Sequence, residues 1–218
     1  MPRSSYDLMY SQASIVVSRH FPSQFRFCLK LAGVRHPRTV LDIGGGTGAH
    51  SLRLQDMGFD VTLLDSSPIG IEKAKAAGVR RAVEGDFYGD PLPNEKFDIV
   101  LARSFSAFNT DKPDLFAKAL TRAAGFVAPG GATIYWSWTD CSGRWSLPDT
   151  SSGAFNHIPQ SIDGLFDKLV LVPKFHLLAS APLWVALALD RVLRALPAPL
   201  PKRITLLGVR NRPLTHAA

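Results

Sequence analysis

The residues Thr39-Val40-Leu41-Asp42-Ile43 run directly into Gly44-Gly45-Gly46-Thr47-Gly48, and this junction constrains the fold more than any other stretch. Four β-branched or apolar residues around one acid read as a short buried strand. The glycines that follow permit a tight turn with positive φ and leave no Cβ between the backbone and a ligand. Gly48–Met57 then has helical character, with Leu52 and Leu54 among polar neighbours. Strand, glycine turn and helix in that order gather free backbone N–H groups and the positive end of a helix dipole at one point. A carboxylate or phosphate is favoured there.

The alternation continues downstream. Asp60–Leu64 reads as a second strand, Pro68–Ala77 as a helix with Pro in its first turn, Arg81–Glu84 as a third strand and Phe97–Ala102 as a fourth. A helix over Pro113–Ala124 follows, then a turn at Pro129-Gly130-Gly131. Ala132–Trp138 is a fifth strand, rich in β-branched and aromatic residues. Strands alternating with helices imply an α/β domain whose doubly wound, mostly parallel sheet is covered on both faces, a Rossmann-like arrangement. Its ligand crevice lies at the carboxyl ends of the strands. Residues 11–31 are expected to form one or two helices ahead of this core, with Pro22 and Pro37 bounding the second. After residue 140, 139–160 are turn-rich, Ser161–Leu169 reads as helical, and Ser180–Leu196 as a long helix ended by Pro197, Pro199 and Pro201. Ile204–Val209 closes the sheet, so a C-terminal helical insertion precedes the last strand. One domain over 1–218 is expected, with N-terminal helices over 1–38, a ligand-binding core over 39–138 and a substrate-side closing segment over 139–218.

A chain of 218 residues with 46% apolar content buries enough surface to fold without a metal or disulfide. Cys28 and Cys141 are far apart and fit no Cys-x-x-Cys spacing, and His20, His36, His176 and His216 suggest no metal set. A reducing cytoplasm is the expected compartment. Met1–Tyr10 lacks the apolar core of a signal peptide, and the uncharged stretch Phe175–Leu189 is too short to cross a bilayer. The net charge of +7 lies in the flanks: residues 1–38 hold six Lys/Arg against one acid and 141–218 nine against four, whereas 39–140 hold ten against thirteen. No basic run alternates with aromatics, so a scattered basic surface is favoured over a nucleic-acid footprint.

Three acids stand at predicted strand ends. Asp65, after the second strand, suits the two hydroxyls of a ribose. Gly44, Gly46 and Ala49 also satisfy the dinucleotide pattern G-x-G-x-x-G/A, which keeps a nicotinamide cofactor in view. Asp42 argues the other way, since a carboxylate at the end of the first strand repels a diphosphate and attracts an ammonium group. Asp86, ending the third strand, can accept a hydrogen bond from an adenine amine. An amino acid, a ribose and an adenine in one ligand describe S-adenosylmethionine.

Five pieces now stand in order: Asp42-x-Gly44-x-Gly46-x-Gly48, Leu63-Leu64-Asp65-Ser66, Gly85-Asp86-Phe87, Phe97-Asp98-Ile99-Val100 and Ala128-Pro129-Gly130-Gly131. Together they resemble the class I S-adenosylmethionine-dependent methyltransferases over roughly residues 39–138. The resemblance implies that Gly44, Gly45 and Gly46 line the methionine and ribose, that Asp65 binds the ribose and Ser66 lies beside the adenine. Asp86 with Phe87 would fix the adenine, and the backbone of Arg103 would face the methionyl group. It also implies a helical lid over 1–38 carrying Tyr6 and Tyr10 above the cofactor. Under the geometry of such a fold, Phe105 and Phe108 would face the acceptor pocket. Trp136 and Trp138 share one strand face, with Tyr135 on the other, and are either core or substrate wall.

Methyl transfer needs no obligatory catalytic side chain, because the cofactor carries the difficult chemistry. His157 is the one candidate base, on a turn-rich segment past the fifth strand; His50 reads as helix surface or a cofactor-edge contact. The favoured function is an enzyme methylating a small, aromatic or apolar molecule. The position where many base-amine methyltransferases carry Asn/Asp-Pro-Pro-Tyr/Phe here reads Ala102-Arg103-Ser104-Phe105. A nucleic-acid methyltransferase, a non-catalytic protein retaining the fold and a nicotinamide oxidoreductase remain as alternatives. Leu183–Leu189 is apolar all round and is followed by Arg191, Arg194, Lys202 and Arg203. Burial within the domain is expected for it, with a pocket wall or a membrane-surface contact through 183–203 as alternatives.

Overall fold

The computed structural model describes residues 5–12, 17–89, 92, 94–103, 105–108, 113–138, 166–173, 184, 185, 188, 192 and 203–210. In chain order the elements are α1 (Ser5–Gln12), α2 (Phe21–Ala32), β1 (Thr39–Ile43), α3 (Ala49–Asp56), β2 (Asp60–Asp65), α4 (Pro68–Ala76) and β3 (Arg81–Glu84). Then come β4 (Phe97–Arg103), a single 3-10 turn at Ser106–Phe108, α5 (Pro113–Gly125), β5 (Val127–Trp138), β6 (Lys168–Pro173) and β7 (Arg203–Arg210). The seven strands form one sheet in the order β3-β2-β1-β4-β5-β7-β6. Strands β3, β2, β1, β4 and β5 are parallel; β7 is antiparallel to both β5 and β6.

Strand alternation sorts the core onto two faces. Val40, Val61, Ile99, Leu101, Ala132 and Ile134 pack with Phe21, Phe25 and Leu31 of α2 and Leu54 of α3. Ile71 and Ala74 of α4 cover Leu63 beside them. The opposite face presents Leu41, Ile43, Leu64, Val100, Ala102 and Tyr135 to Phe116, Ala119, Leu120 and Ala123 of α5. Those four sit at i, i+3, i+4 and i+7, the stripe an amphipathic helix buries. At the amino ends of β1 and β4, Asp98 Oδ2 accepts from the Arg38 N–H at 2.7 Å, the Thr39 N–H at 2.9 Å and the Thr39 hydroxyl at 3.0 Å. These bonds hold the Asp98 carboxyl below its ordinary pKa despite the opposing desolvation.

Three expectations need correction. The helix read over Ser161–Leu169 does not hold at its end. Lys168 and Leu169 begin β6, where Val170 and Val172 stand opposite Leu207 and Thr205 of β7, and the paired edge outweighs a short apolar run that fits either period. Pro129-Gly130-Gly131 is not a free turn but lies within β5, where the register jumps from Phe97↔Val127 to Ile99↔Ala132. Gly130, at φ +81°, absorbs the excess residues as a bulge does. Pro22 sits inside the first turn of α2, where its missing N–H has no intrahelical partner to lose.

Strands β2 and β4 flank β1, so the chain reverses its direction of winding between β1 and β4. A doubly wound sheet opens a crevice at such a switch point, beyond the carboxyl ends of the strands.

Candidate functional site

At those ends lies a crevice of about 210 Å³, lined by Ile43, Gly44, Leu64, Asp65, Ser66, Gly85, Asp86, Phe87, Tyr88 and Phe105–Ala107. Asp65 is its best-anchored acid. Only 7% of the residue is exposed. Oδ2 accepts from the Gly46 N–H at 2.8 Å, and Oδ1 from the Ser67 N–H at 2.8 Å. The Tyr10 hydroxyl reaches Oδ2 at 3.4 Å. Burial raises the pKa of this carboxyl, against the pull of the bonds from Ser67, Gly46, Tyr10 and Ser66. The glycine at 46 makes the first contact possible: its φ of +54° turns the N–H back toward the end of β2. Across the crevice Asp86 is exposed, accepts the Tyr88 N–H on Oδ1 at 3.0 Å, and stands next to buried Phe87.

Asp42 and Gly45 sit lower than a ligand-edge reading requires. Asp42 is only 2% exposed and accepts the Ser51 hydroxyl at 2.6 Å, pinning the first turn of α3 beneath the loop. Burial pushes its pKa up to about 6, opposed by the Ser51 bond, reinforced by the charge of Asp65 and opposed again by Arg103. A Cβ at Gly45 would lie 2.6 Å from Leu63 and 3.1 Å from Asp42 Oδ2, so this glycine faces the sheet, not the crevice. Its small size serves packing.

The N-terminal helix closes one side. Tyr10 is buried, and its ring covers Gly46, where an added Cβ would meet it at 2.8 Å, and Gly70, at 3.2 Å. Ser67 caps α4 by accepting the Gly70 N–H at 3.1 Å and donates its hydroxyl to Asp7 Oδ1 at 2.5 Å. Lys73 Nζ donates to the Tyr10 carbonyl at 2.5 Å and the Ser11 carbonyl at 3.4 Å, placing a cation at the negative end of α1. Tyr10 therefore stands over the glycine loop and Asp65.

Arg103, at the end of β4, hydrogen-bonds His50 through its guanidinium. The His50 ring meets Phe21 edge-on at 5.0 Å, and Phe21 meets Trp136 edge-on at 5.4 Å. Burial, then the Arg103 charge, lowers the His50 pKa to about 3. His50 is thus a neutral, half-buried hydrogen-bond partner rather than helix surface, and no base at neutral pH. Phe21 and His50 join Arg103 only because α2 and α3 pack on the same sheet face; no local spacing announces it.

The aromatic residues divide. Phe105 lies over Gly44, where an added Cβ would fall 2.4 Å from its ring, and meets Phe87 edge-on at 5.0 Å. Phe108 does not face an acceptor pocket: it is 2% exposed and packs on Tyr135 at 4.6 Å and Phe116 at 5.8 Å, as core. Trp136 belongs to the α2 face. Tyr6 and Trp138 are described by their backbone only, and His157 lies outside the described residues. Among the described residues no cluster of His, Cys, Asp or Glu could hold a metal ion.

The open volume is thus bounded by acids suited to a ribose and an adenine amine, with Phe87 as an apolar floor. The glycine loop beside it is covered by Tyr10 and Phe105.

Residues 40–131 match the family model of a methyltransferase domain. Over 120 residues the chain is 32% identical to the ubiquinone biosynthesis O-methyltransferase of Methylobacterium nodulans, covering 53% of this chain and 45% of that protein. Over 142 residues it is 32% identical to the ubiquinone/menaquinone biosynthesis C-methyltransferase of Pectobacterium atrosepticum, covering 60% and 53%. The chain spans about half the length of these relatives. A TehB-like S-adenosylmethionine-dependent methyltransferase from Corynebacterium glutamicum superposes with a TM-score of 0.57 at 18% identity, covering 94% of this chain and 93% of that one. That likeness is one of fold.

Proposed function

We propose that this chain, whose residues 40–131 match the family model of a methyltransferase domain, is a class I S-adenosylmethionine-dependent methyltransferase that binds S-adenosylmethionine in the crevice beside Asp65 and methylates a small, apolar or aromatic acceptor. The observation that carries the reading is the pairing of buried Asp65 with exposed Asp86 across a floor of Phe87. When bound, the cofactor supplies a methyl carbon already activated by sulfonium.

The chain's own residues bind, orient and exclude water. Asp65 accepts the ribose hydroxyls with the oxygen capacity left by Gly46 and Ser67, a carboxylate offering about four lone-pair sites. Asp86 accepts the adenine amine, and Ser66 and Phe87 bound the ring. The backbone of Gly44 and Gly46 borders the methionyl half once Tyr10 and Phe105 give way. Asp42 lies beneath that half, and its carboxyl, with a pKa of about 6, is mostly ionised at neutral pH and favours an ammonium above it. Arg103 offers a cation at the same end. Tyr10 then excludes water from the ribose side, which strengthens the charged bonds within. His157 is retained as the candidate base for acceptors that must lose a proton.

The names of the two relatives, which concern ubiquinone and menaquinone synthesis, support an acceptor built on an apolar ring. So does the segment distribution of charge: the crevice strands come from the acidic middle of the chain, where a polynucleotide would be repelled.

Calorimetry with S-adenosylhomocysteine and with NAD tests the cofactor, and labelled methyl incorporation into metabolites, RNA and duplex DNA tests the acceptor. S-adenosylhomocysteine binding with label in small molecules is expected. NAD binding alone, or label confined to nucleic acid at physiological salt, would overturn the reading.

A further inference from the structure

Trp184, Val185, Ala188 and Val192 are helical. Val185 is half-buried and packs against the cluster that holds Phe21, Phe25 and Ile134. Burial, the sequence expectation for Leu183–Leu189, fails for Trp184 and Ala188. Trp184 is 71% exposed and Val192 55%, and Ala188 is exposed between them. Spacings of four residues put Trp184, Ala188 and Val192 on one side of a helix. Trp184, Ala188 and Val192 thus offer solvent an apolar stripe led by an indole, while Val185 beside Trp184 packs on the domain.

The sequence around this stripe is basic. From Lys168 to Arg212 eight Lys/Arg stand against a single acid, Asp190, with Arg191 and Arg194 on either side of Val192. A tryptophan beside apolar and basic residues is the composition that rests in a lipid headgroup layer, ring toward the acyl chains and cations toward phosphate. The uncharged stretch Phe175–Leu189 is too short to cross a bilayer, so the contact is with its surface. A second copy of the chain is disfavoured by the same charges, because a symmetric contact brings the two basic surpluses face to face.

We propose that the stripe Trp184–Ala188–Val192 docks on an anionic phospholipid bilayer. Trp184 and Val192 enter the boundary between headgroups and acyl chains, and the basic residues next to them in sequence, Arg191 and Arg194, supply the charge for the lipid phosphates. Docking does not depend on methyl transfer, and its test is separate from any activity.

The full chain is sedimented with vesicles of phosphatidylcholine and of phosphatidylcholine mixed with phosphatidylglycerol, at low and physiological salt. Binding to the mixed vesicles is expected, with weak binding to phosphatidylcholine alone. The double variant Trp184→Glu, Val192→Glu should bind at least about tenfold more weakly with unchanged thermal unfolding, since both side chains are exposed. Arg191→Glu with Arg194→Glu should cost about fivefold per charge. Equal binding by the apolar double variant would overturn the proposal. So would a wild-type dimer in solution that becomes monomeric in that variant while vesicle binding is absent, which would assign the stripe to a second copy.

Discussion

Asp42→Asn should stabilise the ligand-free protein at neutral pH and weaken its hold on the cofactor. In the folded chain the carboxyl titrates near pH 6 against an ordinary 3.8, chiefly because it is buried. Each unit corresponds to about 1.4 kcal/mol, so ionised Asp42 costs the fold roughly 3 kcal/mol at neutral pH. The folded state binds the proton more tightly than the unfolded one. The group's favourable contribution is therefore complete below pH 3.8 and is lost as pH rises through about 6. Asparagine carries no charge and keeps an oxygen for the Ser51 hydroxyl, whose bond to the carboxylate is already included in that shift. A gain of roughly 3 kcal/mol is therefore expected at pH 7.5. At pH 4 the variant should be no more stable than the parent. Urea unfolding at the two pH values, without ligand, measures the difference directly. Calorimetry at pH 7.5 should find S-adenosylhomocysteine bound about tenfold more weakly or worse, because the field that favours its ammonium group is gone. A variant less stable than the parent by the same margin at both pH values would refute the argument, since burial would then not be what raises this carboxyl.

Asp65→Ala should weaken S-adenosylhomocysteine about a hundredfold or more, at roughly 1.5–3 kcal/mol for each charge-assisted ribose bond, as read by calorimetry on protein whose circular dichroism is unchanged. Gly46→Val should abolish that binding, because φ is +54° and the added Cβ would lie 2.8 Å from the Tyr10 ring. In a Tyr10→Ala background the stability cost of Gly46→Ala should shrink to the backbone term, about 1 kcal/mol, in a urea double-mutant cycle. Asp98→Ala strands the Arg38 N–H, the Thr39 N–H and the Thr39 hydroxyl and should cost about 2–3 kcal/mol of stability. Its calorimetric affinity for S-adenosylhomocysteine should not change, because the bonds tie the strand ends opposite the crevice.

Strands that end in a punctuating glycine or acid were legible from composition. Thr39–Ile43 appears with the bounds read from the sequence, because a buried parallel strand is a continuous apolar run with a sharp stop; Arg81–Glu84 also appears as read, as an edge strand with exposed ends. Lys168–Pro173 was not, since six residues of Leu, Val, Lys and Pro carry no period that separates strand from helix, and pairing with Arg203–Arg210 decides the matter. The positions of Asp65 and Asp86 at the crevice and of Gly46 in the loop were readable, because strand ends and glycine turns announce themselves. The contact of Tyr10 with Asp65 spans 55 positions and that of Arg103 with His50 spans 53. Neither has a local signature; each follows from which helix covers which face. Phe108 misled for the same reason: a loop aromatic beyond a strand is as compatible with core as with crevice until its neighbours are known.

The order β5-β7-β6 has a consequence for the chain as it leaves the ribosome. The cofactor half, β1 through β5, is synthesised before Arg203–Arg210, yet among the described residues it is these that pair the outer edge of β5 across eight positions from Gly131 to Trp138. Until they arrive, β5 presents a long unpaired edge rich in Ile, Tyr and Trp, the kind of edge on which a neighbouring chain can dock in error. β6, made earlier, does not cover it, because its partner in the sheet is also β7. The strand made last is the wedge that separates β5 from β6 and satisfies both, so a nascent chain halted before Arg203 should aggregate through an edge that the finished protein never exposes.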